Sequence, residues 1–358
     1  MSAATRKPRN EPVTIGGVTT APGERQVIDL PVADLYTHES LHMPVQVING
    51  TRAGPTLLVC AAVHGDEING VEVIRRLLAY RGLSRLRGTL LAVPIVNVHG
   101  FLDQSRYLPD RRDLNRCFPG TEKGSIAARL AYLFTNEILD KADCVIDIHT
   151  GAVHRSNLPQ IRADLDDAAT LELAQSFGVP VIINANLRDG SLREAAASRG
   201  IPSLLYEAGE ALRFDEVCIR AGLRGVLNVI RALGMLAARK RHREVVQPVM
   251  ARQTRWVRAP SSGIIRMHAA LGQRVQKGDV LATVSDPFGQ KEGHATAAFA
   301  GIVIGRSNLP LAHEGDALHH VAAFEELAEA ETTVEEFHAE HDKVPESAPP
   351  PPEYGTPV

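Results

Sequence analysis

The chain has 358 residues, of which 44% are hydrophobic and 23% are charged. This composition is typical of a soluble globular protein, and the length suggests two domains. The formal net charge of −3 gives no sign of the basic surface that nucleic-acid binding needs. No apolar run approaches the roughly 20 residues that span a bilayer. We therefore expect neither nucleic acid nor a membrane as a partner.

The amino-terminal stretch, residues 1–12, has no apolar core, so we expect a flexible leader and not a signal peptide. The four cysteines lie far apart in the sequence, and Cys60 and Cys144 fall within apolar runs. Buried, reduced thiols are the simplest interpretation of that placement. The sequence therefore predicts a cytoplasmic protein without structural disulfides.

Strand and helix patterns alternate along residues 13–247, after short alternating stretches over residues 13–50 that indicate edge or antiparallel strands. Such alternation favours an α/β domain with a mostly parallel sheet, and we expect this domain to be the catalytic one. Strands are predicted over 57–63, 88–98, 143–149, 180–186 and 202–209, and helices near 70–80, 125–142, 166–177, 191–199 and 214–236, with a long loop over 99–124.

The pattern changes after residue 247, where glycines are frequent and helical periodicity is weak. Residues 263–284 and 301–321 repeat one another, each beginning G-I-[IV] and ending G-D-x-L-x-x-V. Two similar units of this length predict a small, pseudo-symmetric, all-β domain over 248–325. The acidic and proline-rich segment 326–358 is predicted to be a disordered tail.

A histidine and a glutamate, His64 and Glu67, stand where the strand over 57–63 gives way to a helix. Alone, this spacing is more often an acid at a helix start beside a surface histidine. His149, however, directly follows another buried strand, and a catalytic zinc commonly takes three protein ligands and one water. We therefore predict one Zn²⁺ per chain, bound by these three residues. Asp147 is either a support for His149 or an ordinary acid at the strand end.

A base is also required to activate water, and Glu207, just after the apolar residues of the stretch 202–209, could supply it. Glu210, three residues further on, is the alternative base, and we expect it to be the more exposed of the two. The loop over 105–120 adds four arginines, which either form a solvated basic loop or point inward. Arginine holds carboxylates with two hydrogen bonds and stabilises oxyanions.

Four motifs, H-G-D-E, D-L-N-R-x-F-P-G, D-x-H-T-G and E-A-G, occur in this order over residues 50–235. In this respect the chain resembles the succinylglutamate desuccinylase/aspartoacylase family of the zinc carboxypeptidase superfamily. The resemblance implies a zinc-carboxypeptidase-like, three-layer α/β/α fold. It also implies an amidohydrolase that removes an acyl group from a small N-acyl amino acid or related N-acyl amine.

The resemblance also implies roles for single residues. His64, Glu67 and His149 would bind zinc, and Glu207 would be the general base and then the acid that protonates the leaving amine. Arg106 would polarise the acyl carbonyl and stabilise the oxyanion.

Substrate recognition is implied for the same loop. Asn115 and Arg116 would hold a substrate carboxylate. Because extra residues separate Arg106 from the D-L-N-R motif, Arg111 or Arg112 could take its place. Arg188 is a further candidate for contacting substrate, although a surface arginine is the commoner interpretation.

The carboxy-terminal β domain resembles the biotinyl/lipoyl hammerhead. Lys291 lacks the flanking residues of a carrier, so we expect this domain to narrow the mouth of the site. Two other functions stay open, a zinc carboxypeptidase acting on short peptides and a non-catalytic binding protein on the same fold. A homo-oligomer is compatible with the sequence.

Overall fold

The structure is a computed structural model that describes residues 9–238 and 247–341. Its amino-terminal part contains ten strands among the described residues, from three to ten residues long. These strands are β1 (Val13–Ile15), β2 (Val18–Thr20), β3 (Arg25–Asp34), β4 (Ser40–Asn49), β5 (Arg52–Ala61), β6 (Arg87–Val93), β7 (Cys144–Gly151), β8 (Arg155–Ala163), β9 (Val181–Asn184) and β10 (Ser203–Glu210).

Helices connect these strands, and four of them begin at a Ser or Asp side chain that accepts a backbone N–H of the first turn: Ser125, Asp167, Ser191 and Asp215. No helix among the described residues is long and apolar enough to cross a membrane. The helices are α1 (Asn69–Leu78), α2 (Val98–Leu102), α3 (Ile126–Glu137), α4 (Ala168–Phe177), α5 (Leu192–Ala197) and α6 (Glu216–Ala232), with short 3-10 turns at Arg81–Arg85, Leu114–Arg116 and Leu139–Lys141.

The carboxy-terminal part is almost entirely β structure and closes with one helix. Its elements are β11 (Val249–Ala251), β12 (Gln253–Arg258), β13 (Gly263–Met267), β14 (Arg274–Val275), β15 (Val280–Ser285), β16 (Glu292–Thr296), β17 (Gly301–Ser307), β18 (Leu311–Ala312), β19 (Ala317–Ala323) and α7 (Leu327–His341).

The large sheet is mixed, with the order β12-β19-β17-β8-β10-β7-β5-β6-β4-β3. Only its centre, β10-β7-β5-β6, is parallel, together with the side pairs of β9 with β8 and β11. The prediction of a mostly parallel sheet is therefore wrong on the side of β8, β17, β19 and β12. The reason is local: only a short turn joins β7 to β8, which leaves no room for a crossover helix, and β8 pairs antiparallel with β10. The antiparallel strands expected over residues 13–50 are found in β3 and β4.

Helices cover both faces of the central strands, as the three-layer prediction requires. Alternate residues of β5 point to opposite faces. Leu57 and Val59 pack with the helices α1, α4 and α6, whereas Leu58 and Cys60 pack with α3 and α5. The carboxyl ends of β5, β7 and β10 therefore emerge together between two helical layers.

Part of the carboxy-terminal unit belongs to the large sheet, because β17 pairs with β8, β19 with β17, and β12 with β19. A second sheet has the order β16-β15-β13-β18. The two sequence repeats exchange short strands: β14 of the first pairs with β17, and β18 of the second pairs with β13. This exchange agrees with a pseudo-symmetric β unit, while the hammerhead shape itself stays a prediction.

The prediction for the carboxy-terminal tail needs correction. Disorder is predicted from residue 326, yet α7 buries Ala330, Val334 and Phe337. At the other end, within the predicted leader, the side chain of Asn10 donates to Asn49 Oδ1 at 2.6 Å. Residues 1–8 and 342–358 lie outside the described residues.

Candidate active site

Three buried side chains, His64, Glu67 and His149, converge at the carboxyl ends of the neighbouring strands β5 and β7. Glu67 Oε1 lies 2.8 Å from His64 Nδ1, and Glu67 Oε2 lies 2.7 Å from His149 Nδ1. The two Nδ1 atoms are 3.2 Å apart. Two imidazoles and a carboxylate in this arrangement could hold a metal ion.

The remaining ring nitrogen of each histidine contacts a carboxylate. His64 Nε2 lies 3.0 Å from Asp113 Oδ1, and His149 Nε2 lies 2.8 Å from Asp147 Oδ2. Because each carboxylate accepts the Nε2 proton, each Nδ1 lone pair is left for a cation. The donor set therefore fits a metal, and the support that the sequence suggested for His149 by Asp147 is confirmed.

The electrostatics of the cluster agree with a cation site. Burial would raise the pKa of Glu67, but the charges of His64 and His149 outweigh it and hold that pKa well below its usual range. Burial would lower the pKa of His149, but the carboxylates of Asp147 and Glu67 raise it well above 6.5. A bound cation would replace these imidazole protons as the positive partner of the carboxylates.

The turn between β5 and α1 is possible only because residue 65 is glycine. A Cβ there would lie 1.9 Å from the backbone carbon of Gly100. The chain after Asn97 packs against this turn, with Asn97 N donating to Ala62 O at 2.9 Å. The close contact of two backbones fixes where His64 leaves the sheet.

Of the three arginines that the sequence offered for the oxyanion role, Arg106 is the one at the cluster. Its Nη1 lies 3.2 Å from Glu67 Oε1, and its Nη2 donates to Asp113 Oδ2 at 3.0 Å. Arg111 and Arg112 are exposed and do not line the cavity. Asp113, the first residue of D-L-N-R, was not predicted to take part, although its place in that motif was a signal.

Glu207 is the cross-strand neighbour of His149, since β10 pairs with β7 in that register. Its Oε2 accepts a hydrogen bond from Asn157 Nδ2 at 2.6 Å. The expectation that Glu210 is more exposed is wrong, because 11% of its side chain is exposed against 18% for Glu207. The backbone N–H of His154 donates to Glu210 Oε1 at 3.0 Å, and Glu210 does not line the cavity.

The residues proposed for substrate binding also line the cavity. Asn115 is held by its Oδ1, which accepts from Leu192 N at 2.9 Å, while Arg116 and Arg188 are exposed. The cavity has a volume of about 630 Å³ and carries a marked positive excess. Its charged lining comprises two glutamates, Glu67 and Glu207, and seven arginines, Arg106, Arg116, Arg155, Arg162, Arg188, Arg193 and Arg252.

Several lining residues were missed from the sequence. Asn157 and Arg162 belong to β8, a strand that was not predicted. Arg193 is 7% exposed, and its Nη1 has no hydrogen-bond partner among the described residues. Trp256 comes from the carboxy-terminal unit and stacks on His320 with ring centroids 4.6 Å apart. A single-sequence pattern gives no signal for such contacts between distant segments.

An α/β fold with a mixed sheet and a buried His–Glu–His cluster at the strand ends defines a class of candidate metalloproteins. Residues 53–233, half of the chain, match the family model of the succinylglutamate desuccinylase/aspartoacylase catalytic domain. The chain belongs to this family, which confirms the resemblance seen in its motifs.

Three relatives show the range of similar proteins. The N-alpha-acetyl-L-2,4-diaminobutyric acid deacetylase of Halomonas elongata is 28% identical over 270 residues, 72% of this chain and 79% of that protein. The product-bound ectoine utilization protein EutE (DoeB) from Ruegeria pomeroyi has a TM-score of 0.77 at 27% identity, covering 87% of this chain and 99% of that one. A succinylglutamate desuccinylase/aspartoacylase from Rhodobacter sphaeroides has a TM-score of 0.75 at 26% identity, covering 84% and 96%.

Proposed function

We propose that the protein is a zinc-dependent amidohydrolase that removes the acyl group from a small N-acyl amino acid or related N-acyl amine. The observation that carries the proposal is the cluster of His64, Glu67 and His149, which opens on the same cavity as Glu207 and Arg106. The family membership and the deacetylase activity named for the Halomonas relative support it.

Zinc is the metal that this donor set suits best, because imidazole and carboxylate ligands with one open position are typical of catalytic zinc sites. A bound zinc ion would polarise the acyl carbonyl and acidify a water molecule. Asp113 and Asp147 keep the imidazoles of His64 and His149 oriented for that ion.

The chain's own groups supply the remaining chemistry. Glu207 would take a proton from the attacking water as the new C–O bond forms, and would pass that proton to the amide nitrogen as the C–N bond breaks. The Arg106 guanidinium, which Asp113 orients, would donate to the carbonyl oxygen as negative charge develops there. The products are a carboxylic acid and an amine.

The cavity favours a small anionic substrate. Asn115, Arg116 and Arg188 line the cavity and carry N–H donors for a carboxylate, and the arginine excess would attract one. The amine that the Halomonas relative releases is a small diamino acid by its name, which suits a cavity of about 630 Å³. We therefore place the carboxylate of an N-acyl amino acid at these residues.

The test is a hydrolysis screen of the zinc-loaded protein. N-acetyl-2,4-diaminobutyrate, N-acetyl and N-succinyl amino acids and short peptides are compared, with zinc content measured for each preparation. Turnover of an N-acyl amino acid that is abolished by a chelator and restored by zinc is the expected result. Preferential cleavage of peptides would favour a carboxypeptidase instead.

Two matched variants test the proposed base. Glu207→Gln should lose roughly 10²–10⁴-fold in kcat, the usual contribution of a general base. Glu210→Gln removes a carboxylate three residues away that does not line the cavity, so it should retain activity. Normal turnover by zinc-loaded Glu207→Gln would show that the base is assigned wrongly.

A further inference from the structure

Asn157 lies on β8, the strand next to Glu207's strand, and only 7% of it is exposed. Its Nδ2 donates to Glu207 Oε2 at 2.6 Å. A carboxylate offers acceptors and no donor, so the amide nitrogen must be the atom that faces it. Glu207 Oε1 makes no hydrogen bond to any described residue, although it belongs to a side chain that lines the cavity.

The place of the Asn157 amide is set by the carboxy-terminal unit. Asn157 pairs across the sheet with Gly305 of β17. A Cβ at residue 305 would lie 2.9 Å from Asn157 Oδ1 and 3.3 Å from the Cβ of His320. The amide therefore lies over bare backbone, and any larger residue at position 305 would push it.

The cationic side chain nearest to the Glu207 carboxylate, Arg162, makes no hydrogen bond with it. Arg162 Nε lies 3.8 Å from Glu207 Oε1, beyond hydrogen-bonding distance. A guanidinium in direct contact would compete with an incoming proton, whereas a neutral amide orients a carboxylate without adding positive charge. Glu207 is thus held at one oxygen by a neutral donor and left open at the other.

We infer that Asn157, seated over Gly305, is a positioning residue that fixes the Glu207 carboxylate for proton transfer. β17 thereby takes part in the catalytic apparatus, although none of its residues lines the cavity. Asn157 acts through Glu207, so this inference rests on the proposed function.

The experiment compares Asn157→Ala, Gly305→Ala and the wild type on the best substrate of the screen. A carboxylate displaced by about 1 Å can cost up to roughly 10²-fold in rate, so we expect kcat to fall about 10–100-fold. KM, zinc content and thermal midpoint should stay close to wild type. Asn157→Asp should lose more, because it presents a second carboxylate to Glu207.

A matched control lies outside the cavity. Asn308 Nδ2 donates to Glu210 Oε2 at 2.9 Å, the same kind of contact in an exposed position. Asn308→Ala should therefore leave kcat unchanged. A crystal structure of Asn157→Ala supplies a readout independent of turnover, and we expect the Glu207 carboxylate to occupy more than one orientation there.

The outcomes are separable. Wild-type kcat in both Asn157→Ala and Gly305→Ala, with Glu207→Gln inactive, would overturn the inference and leave the proposed function standing. A rise in KM alone would also overturn it, since that would indicate a substrate contact. Full activity of Glu207→Gln would instead remove the proposed base. If Asn157→Ala does not fold, Gly305→Ala decides alone, because it alters no polar group.

Discussion

Replacing Asp147 by asparagine should weaken metal binding without changing the shape of the site. Asp147 is 1% exposed, and its Oδ2 accepts from His149 Nε2 at 2.8 Å. Its Oδ1 lies 3.5 Å from Cys60 Sγ, a weak donor. In the variant, the amide oxygen is expected on the Cys60 side, so that the amide N–H groups face His149.

With the amide N–H groups facing it, the His149 imidazole must adopt the opposite tautomer. An imidazole whose Nε2 accepts a hydrogen bond carries its proton on Nδ1, the atom 2.7 Å from Glu67 Oε2, and a protonated nitrogen cannot bind a metal. Loss of such a support typically costs 10–100-fold in metal affinity, or about 1.4–2.8 kcal/mol.

Competition with a zinc-binding dye measures this difference directly. Asp113→Asn is the matched comparison, because its carboxylate supports the other histidine but 16% of its side chain is exposed. Water can replace part of that contact, so a smaller loss is expected. A zinc affinity of Asp147→Asn within about twofold of the wild type would refute the tautomer argument.

Three further predictions concern the frame around the site. Gly65→Ala should destabilise the fold by about 3 kcal/mol, the upper end for overpacking, because its Cβ would meet the Gly100 backbone; an unchanged urea midpoint would contradict this. Phe337→Ala should cost about 3–5 kcal/mol in the free energy of unfolding, whereas the exposed control Glu336→Ala should cost little. Burial and two nearby arginines lower the pKa of His320 to about 3, so the unfolded chain binds a proton there that the folded chain does not. Stability should fall as the pH drops from 6.5 towards 3, and His320→Gln should flatten that slope in urea titrations at a series of pH values.

The sequence located the cluster because the motifs lie where parallel strands end. His64 and His149 each follow a buried apolar run, and the carboxyl ends of adjacent parallel strands meet at one edge of a sheet. The positions of the two histidines after these apolar runs were therefore enough to predict that they meet, without any knowledge of side-chain packing. The family motifs supplied Arg106, which the structure places against Glu67.

The parts that were missed depend on contacts between distant segments. β8 carries a proline and mixed polar residues, and the short turn that joins it to β7 left no helix to mark a new strand. Asn157 and Arg162 were lost with it. The tail was misjudged because its acidic composition outweighed the spacing of Ala330, Val334 and Phe337, which lie four and three residues apart on one helical face.

These omissions share a physical cause, which is that the large sheet continues past the domain boundary predicted near residue 247. The large sheet passes from β10 through β8 to β17 without interruption, so the carboxy-terminal unit completes the hydrogen bonding of β8. Through that continuation Trp256 lines the cavity, and Gly305 lies under Asn157, which also lines it. A change in composition marks a change in local secondary structure along the chain. The site, however, is built from strands that pair across the sheet, and this pairing leaves no local signal in the sequence. The carboxy-terminal unit therefore supplies part of the cavity wall, through residues such as Trp256.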